Sequence, residues 1–134
     1  MKYFLDTNIC IHILNGRSQG VIERFTKEDP DDIYIPSMVA AELMYGAYKS
    51  VRRDYNLARV RAFLNNLYII RLNKSAIELY GNIRSELELK GIPIGTIDCF
   101  ISAITIAYEG TLVTNNTKEF IRVNGLNIED WTTI

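Results

Sequence analysis

The chain has 134 residues, of which 48% are hydrophobic and 23% are charged, a composition typical of a folded globular protein and not of a disordered or fibrous one. Its formal net charge of −1 excludes a general attraction to nucleic acid, so a nucleic-acid partner would have to be met by a local basic patch. No stretch reaches the roughly 18 uninterrupted apolar residues of a membrane span, and the N-terminal residues lack a secretion signal. We therefore expect a single domain over residues 1–134 that is cytoplasmic and does not enter a membrane.

Strand-like runs alternate with helical patterns along the chain. Strands are predicted for KYFLD at the start and then at 32–36, 67–72, 111–114 and 126–130. Helices are predicted at 7–15, 37–49, 52–66, 74–90 and 96–109. The alternation predicts an α/β fold with crossover connections and a mainly parallel sheet that is covered on both faces.

Capping residues mark several helix ends. Ser37 follows a proline and is expected to cap a helix that begins at Met38. Asn73 is expected to cap the next-to-last long helix, and Lys90-Gly91 to end it before Pro93.

The cysteines and the single histidine exclude several kinds of site. Cys10 and Cys99 lie inside apolar helical patterns, so we expect reduced, buried thiols. The single histidine argues against a zinc site and excludes a ribonuclease mechanism with two histidines as acid and base. His12 is interpreted as a helix-face residue.

Three carboxylates occupy apolar settings without a basic neighbour. Asp6 ends an apolar strand, while Glu42 and Asp98 sit on apolar helix faces with no Lys or Arg one turn away. Each has an ordinary explanation: Asp6 as a helix cap, Glu42 as a residue that reaches solvent, and Asp98 as an acid in a first helical turn. A lone buried carboxylate is costly, however, so three together indicate a shared cation.

The chemistry of such a site follows from its ligands. If the three acids converge, ligands made only of oxygen favour Mg²⁺, with Mn²⁺ as a substitute, over zinc or copper. Such an ion keeps several waters and leaves room for a phosphate. Hydrolysis of phosphodiester bonds is the reaction that this arrangement favours.

Four motifs in the same order and spacing carry a family resemblance. They are DTN at 6–8, AEL-x-x-G at 41–46, IG-x-x-D-x-x-I-x-A at 94–103 and LVTNN-x-x-EF at 112–120. With the terminal GLNIEDW they resemble the PIN-domain ribonucleases, specifically the VapC-type toxins of prokaryotic toxin–antitoxin pairs, over essentially the whole chain.

The resemblance implies a three-layer α/β/α sandwich and a magnesium-dependent endoribonuclease that is inhibited by a cognate antitoxin. By matched motif, Asp6 and Asp98 would be the main metal ligands, and Glu42 would bind the ion directly or through water. The groups that would orient these carboxylates are Thr7, Asn8 and Thr114.

One position departs from the family pattern. Many PIN domains have an aspartate where this sequence has Asn116, which brings no charge and puts a second metal site in doubt. Glu119 is a candidate for the missing charge, although it also fits a surface residue before the buried Phe120. We expect one metal in the resting protein and a second only with RNA bound.

A basic segment is the candidate RNA contact. It contains Lys49, Arg52, Arg53, Arg59 and Arg61, and nearby tyrosines are available for stacking on bases. A solvated helix face explains the same segment about equally well, because Asp54 interrupts it. The resemblance implies structured RNA such as tRNA as substrate, an antitoxin that covers the cleft, and a homodimer.

Two other functions compete with the nuclease. A receiver-type phosphoacceptor domain would need an acceptor Asp after the third strand and a Lys after the last, and the sequence has neither. A PIN fold that binds RNA or a partner without cutting is the remaining alternative, which Asn116 keeps open.

Overall fold

The computed structural model describes residues 1–133. Its strands are β1 (Tyr3–Leu5), β2 (Ile33–Pro36), β3 (Tyr68–Ile70), β4 (Thr111–Val113) and β5 (Asn127–Glu129). Its α-helices are α1 (Thr7–Asn15), α2 (Gln19–Lys27), α3 (Ser37–Tyr48), α4 (Arg53–Asn65), α5 (Lys74–Leu89), α6 (Thr96–Ala107) and α7 (Thr117–Phe120). A 3₁₀ turn at Pro30–Asp32 precedes β2.

The strands form one parallel sheet in the order β3-β2-β1-β4-β5. The prediction of a mainly parallel α/β sheet is therefore confirmed. Receiver domains have the order 2-1-3-4-5, so the topology also excludes that alternative. The chain runs outward from β1 to β3 and then crosses to the other side of β1, which places the topological switch point between β1 and β4. Ligands of open parallel sheets bind in the crevice at this point.

The predicted strands and long helices are all present, with small differences at their ends. The prediction missed α2, because Gly16 and Gly20 weaken the helical pattern there. In the structure, Ser18 accepts a hydrogen bond from the backbone N–H of Val21 and caps the helix. Residues 117–120, for which no helix was predicted, form the single-turn helix α7.

Helix ends follow the predicted caps in one case and not in another. The Asn73 side chain accepts from the N–H of Ala76, 2.8 Å away, and α5 ends at Lys90-Gly91 with Gly91 at a φ of +71°. The predicted Ser37 cap is wrong: α3 begins at Ser37 itself, Pro36 occupies the N-cap position, and no side chain caps the helix. Proline already has the extended backbone of an N-cap residue, so the helix starts one residue earlier.

The core lies between the sheet and the helices that cover it. β1 and β4 are fully buried, α1 packs against α2, α3 and α4, and α5 packs along α6. Cys10 and Cys99 are buried free thiols, as predicted. His12 lies on α1, and its Nδ1 has no hydrogen-bond partner within residues 1–133. Over the same residues, none of the helices is long and apolar enough to cross a membrane.

Candidate active site

Polar side chains begin where β1 and β4 end, on either side of the switch point. Asp6 directly follows β1 and Thr114 directly follows β4, and the backbone N–H of Asp6 continues the ladder to the carbonyl of Val113 at 3.1 Å. Because the two strands are parallel neighbours in register, the first residue after each strand projects into the same crevice. The fold therefore brings together two residues that are 108 positions apart.

The Asp6 carboxylate is almost fully buried, with 6% of the residue exposed. One oxygen accepts from the N–H of Ile9 at 2.9 Å, which caps α1, and the other accepts from the hydroxyl of Thr114. Burial raises the pKa of Asp6, while these two donors act in the opposite direction by stabilising the charged form. Asp6 is thus both a helix cap and a member of the site, the two explanations that the sequence left open.

Glu42 reaches the same crevice from α3. It is half-buried, and the hydroxyl of Thr7, in the first turn of α1, donates to its Oε1 at 2.5 Å. The hydroxyls of Thr7 and Thr114 thus each donate to one carboxylate of the crevice, Glu42 and Asp6 respectively.

Asp98 enters the crevice from the first turn of α6. Its Oδ2 lies about 3.4 Å from where a Cβ on Gly95 would be, so the glycine leaves the carboxylate close to the helix start. The pKa of Asp98 is raised from 3.8 to about 6, first by burial and then by the negative charges of Glu119, Asp6 and Glu42. Asp98 is the group on which the charges of the other acids converge.

Asn116 and Glu119 lie at the remaining side of the site. The Asn116 side-chain nitrogen donates to Glu119 at 3.2 Å, and its backbone N–H donates to the Thr114 hydroxyl at 3.0 Å. Among the charges that raise the pKa of Asp98, Glu119 comes first. The placement favours Glu119 over Asn116 as the source of the fourth negative charge, with Asn116 holding it in position.

These elements enclose a cleft of about 220 Å³. Its walls are formed by Asp6, Thr7, Asn8, Glu42, Asp98, Ile101, Asn116 and Phe120. Asn8 lines the cleft without a hydrogen bond to any described carboxylate. Sequence reasoning missed Ile101 and Phe120 as walls, although both occupy fixed positions in the motifs around Asp98 and Asn116.

The charges of the cleft are unbalanced. None of the four acids forms an ion pair with a lysine or arginine within residues 1–133. The donor set is all oxygen, which fits a hard divalent cation such as Mg²⁺. In the part of the chain that the structure describes, no three His, Cys, Asp or Glu side chains are arranged to hold an ion unaided. Both oxygens of Asp6 and one oxygen of Glu42 accept hydrogen bonds from protein donors instead.

The basic segment divides into two parts in the structure. Arg59 donates to the carbonyl of Leu14 and to the side chains of Asn15 and Asn56, which ties α4 to the end of α1. The other four basic side chains are exposed; they are Lys49, Arg52, Arg53 and Arg61. Arg59 thus has a structural role that the sequence did not predict, and its contact with RNA stays a prediction.

The sequence profile of the PIN domain matches residues 3–126 of the chain. This chain belongs to the PIN-domain family, among the VapC-type ribonucleases. It is 41% identical to ribonuclease VapC2 of Rickettsia felis and 38% identical to the tRNA(fMet)-specific endonuclease VapC of Shigella flexneri, each alignment covering 98% of both chains.

Solved structures of VapC-type PIN proteins have the same fold. The chain superposes on the DNA-bound VapBC of Salmonella typhimurium with a TM-score of 0.91, at 37% identity and 98% coverage of both chains. It superposes on VapBC2 of Rickettsia felis bound to a promoter DNA fragment with a TM-score of 0.88, at 38% identity over 98% of this chain and 99% of that one. The three-layer α/β/α sandwich expected from the motifs is therefore confirmed.

Proposed function

We propose that this PIN domain is the magnesium-dependent endoribonuclease toxin of a toxin–antitoxin pair. The observation that carries the proposal is the convergence of Asp6, Glu42 and Asp98 in one cleft, where no lysine or arginine of residues 1–133 pairs with them. The ribonuclease names of relatives that align over 98% of this chain support cutting over RNA binding alone.

The proposed ligands are the carboxylates that share the cleft. Asp6 and Asp98 would hold Mg²⁺, with Mn²⁺ as a substitute, and Glu42 would bind it directly or through water. Glu119, held by Asn116, would add negative charge at the Asp98 side of the site. The hydroxyls of Thr7 and Thr114 orient Glu42 and Asp6 in advance, so less freedom is lost when the substrate binds.

A bound Mg²⁺ would supply charge neutralisation at the scissile phosphate and a water of lowered pKa. The protein's own contribution is to place carboxylates on three sides of the cleft and, at Asp6, to stabilise the charged form through the Thr114 hydroxyl and the Ile9 N–H. Glu42 reaches the cleft from α3 with its Oε1 held by the Thr7 hydroxyl, where it would bind the ion directly or through one of its waters. Ile101 and Phe120 form apolar walls that limit the water in the cleft.

The substrate we propose is structured RNA such as tRNA. The endonucleases of Shigella flexneri and Salmonella typhimurium, at 38% and 37% identity, are named as specific for tRNA(fMet). Exposed Lys49, Arg52 and Arg53 lie around the turn from α3 to α4 and would bind RNA phosphates near the cleft.

The proposed protein partners are an antitoxin and a second copy of the chain. The solved VapBC relatives are complexes, and an antitoxin that presents a cation to this cleft would neutralise its unpaired acids. Homodimerisation is proposed from the family resemblance.

The test is cleavage of total tRNA by the purified chain without antitoxin, in Mg²⁺ and in EDTA, with Asp98→Asn for comparison. We expect cutting that needs both Mg²⁺ and Asp98. Glu23→Gln, an exposed acid on α2, is the matched control and should cut like the unmodified protein. Cutting in EDTA, or by Asp98→Asn at the full rate, would contradict the proposed mechanism.

A further inference from the structure

A second cavity adjoins the acidic cleft and is not used by the proposed chemistry. It has a volume of about 260 Å³ and lies between α1, α3 and α4, with Glu42 in its wall as well as in the wall of the cleft. Pockets for drug-sized ligands have volumes of about 300–1,000 Å³. This cavity is therefore sized for a single small ring system.

Gly46 keeps the cavity open. It lies one turn after Glu42 on the same face of α3, and a Cβ at this position would meet no atom within 4 Å. A glycine inside a helix lowers stability by roughly 0.5–1 kcal/mol relative to alanine. The stability of α3 therefore does not explain why this position is a glycine. The last residue of the AEL-x-x-G motif thus leaves room beside the catalytic carboxylate.

The cavity combines apolar sides with a fixed polar edge. Leu43 and Val60 are among its apolar walls, and Arg59 donates to Oδ1 of both Asn15 and Asn56. These bonds fix which end of each amide faces the guanidinium. Proteins hold unstacked RNA bases by stacking them on aromatic side chains or arginine planes and by hydrogen bonds to the base edges, and the guanidinium and amides at this edge provide groups of the second kind.

A cationic and aromatic surface continues from the cavity. Lys49 directly follows the last residue of α3, three positions after Gly46, and its Nζ lies 4.8 Å from the centre of the Tyr45 ring. Arg52 lies over the ring of Tyr55 at 3.9 Å. At a rise of 1.5 Å per residue, Glu42 and Lys49 are about 10 Å apart along the axis of α3. The cavity at Gly46 lies between this acid and this cation. A bound RNA strand would present its groups in the matching order: the scissile phosphate at the acids, the adjoining base at the cavity and the next phosphate at the cation.

We propose that the cavity at Gly46 binds one unpaired base of the RNA substrate, next to the scissile phosphate. The inference rests on the proposed ribonuclease function and adds a subsite for the base to it. A protein segment is the competing occupant, but the cations beside the cavity and its shared wall with the acidic cleft favour RNA.

The test fills the cavity from Gly46. Gly46→Leu places its side chain in open space, and Gly81→Leu on α5, where a Cβ also meets nothing within 4 Å, is the matched control. After the cleavage site is mapped, two RNA oligonucleotides are made. One has an abasic ribose directly before the site and the other has an abasic ribose directly after it. We expect Gly46→Leu to raise KM for intact RNA at least tenfold with kcat within threefold, and Gly81→Leu to leave both unchanged.

The abasic RNA separates the subsite from a general defect. The unmodified protein should lose at least tenfold in kcat/KM on the RNA that lacks the bound base, and Gly46→Leu should cut that RNA and intact RNA equally. If the ratio of kcat/KM on intact RNA to kcat/KM on abasic RNA is the same for Gly46→Leu as for the unmodified protein, the proposal is overturned. An unchanged KM of Gly46→Leu for RNA would also overturn the proposal. If KM is unchanged and the variant only fails to bind its antitoxin, the cavity is assigned to a protein segment instead.

Failure of the proposed function gives a different result. If the unmodified protein cuts no RNA, affinities for intact and abasic RNA measured in EDTA still report on the cavity. Equal affinities of the unmodified protein for both RNAs would overturn the base subsite independently of cutting.

Discussion

At the scale of single residues, Asp98 has the most informative environment. Its pKa of about 6 results from burial and from three neighbouring acids, with Glu119 first among them. The folded protein therefore binds a proton at Asp98 more tightly than the unfolded chain does. Without metal, the charged form of Asp98 lowers the free energy of unfolding.

The first prediction concerns the stability of the metal-free protein. Between about pH 4 and 6 the folded state holds more protons at Asp98, so this contribution to stability is full at low pH and is lost as pH rises through about 6. Asp98→Asn removes the loss and should stabilise the protein at pH 7 by about 1 kcal/mol, once solvent screening of a half-exposed group is allowed for. Urea unfolding in EDTA at pH 4 and pH 7 measures this. A variant that is less stable at pH 7, or whose advantage grows in acid, would show that Asp98 is not repelled by its neighbours.

The second prediction concerns the hydroxyl that holds Asp6. Thr114→Val keeps the shape of a fully buried side chain but removes the donor to Asp6 and the acceptor for the N–H of Asn116. We expect a loss of about 1–3 kcal/mol in stability and of about 10–100-fold in cleavage rate. Thr105→Val is the control, because Thr105 is equally buried and its hydroxyl bonds only a carbonyl of its own helix. Equal activity of the two variants would rule out an orienting role for Thr114.

At the scale of elements, the turn between α6 and β4 sets how closely β4 approaches β1, at the end of the sheet opposite the site. Glu109 has a φ of +56°, and Gly110 follows it against the ring of Phe4 in β1. A Cβ on Gly110 would lie 2.4 Å from two ring carbons of Phe4. Only glycine lets this turn approach β1 closely enough for β4 to pair with it.

The third prediction follows from that contact. Gly110→Ala should destabilise the protein by about 1–3 kcal/mol, because Phe4 is buried and its ring cannot move without displacing its neighbours. Gly81→Ala, inside α5 with open space around it, should stabilise by about 0.5–1 kcal/mol. Thermal unfolding of both variants checks the pair. A neutral Gly110→Ala would mean that the turn can move away from β1 at little cost.

At the scale of the whole molecule, a net charge of −1 and an acidic cleft oppose the approach of RNA. The exposed cations at the turn between α3 and α4 must supply the attraction locally. The fourth prediction is that Lys49→Gln lowers RNA affinity and reduces the salt dependence of binding by about 0.7–0.9 per lost phosphate contact. Binding is measured at several salt concentrations in the Asp98→Asn background, so that no RNA is cut. Lys27→Gln, an exposed cation on α2, is the control, and an identical salt dependence for both variants would place the RNA elsewhere.

The sequence predicted those features that depend on local pattern. The strands and long helices follow from apolar periodicity, and the three acids stood out because nothing nearby in sequence paired with them. It did not predict α2, where glycines interrupt the pattern, or the start of α3, where the backbone of Pro36 replaces a side-chain cap. Contacts between distant segments were also out of reach: the bond of Arg59 to the end of α1 and the cavity at Gly46 exist only after α1, α3 and α4 pack together.

The measurement that tests the central claim most directly is the location of a bound metal. Crystals of the antitoxin-free protein would be grown with Mn²⁺, and the ion located by its anomalous diffraction, in the unmodified chain and in Asp98→Asn. The account predicts one peak between the Asp6 and Asp98 carboxylates in the unmodified protein and its loss or strong weakening in the variant. A peak elsewhere, or none between these two side chains at saturating Mn²⁺, would contradict the claim that the convergent acids form a metal site.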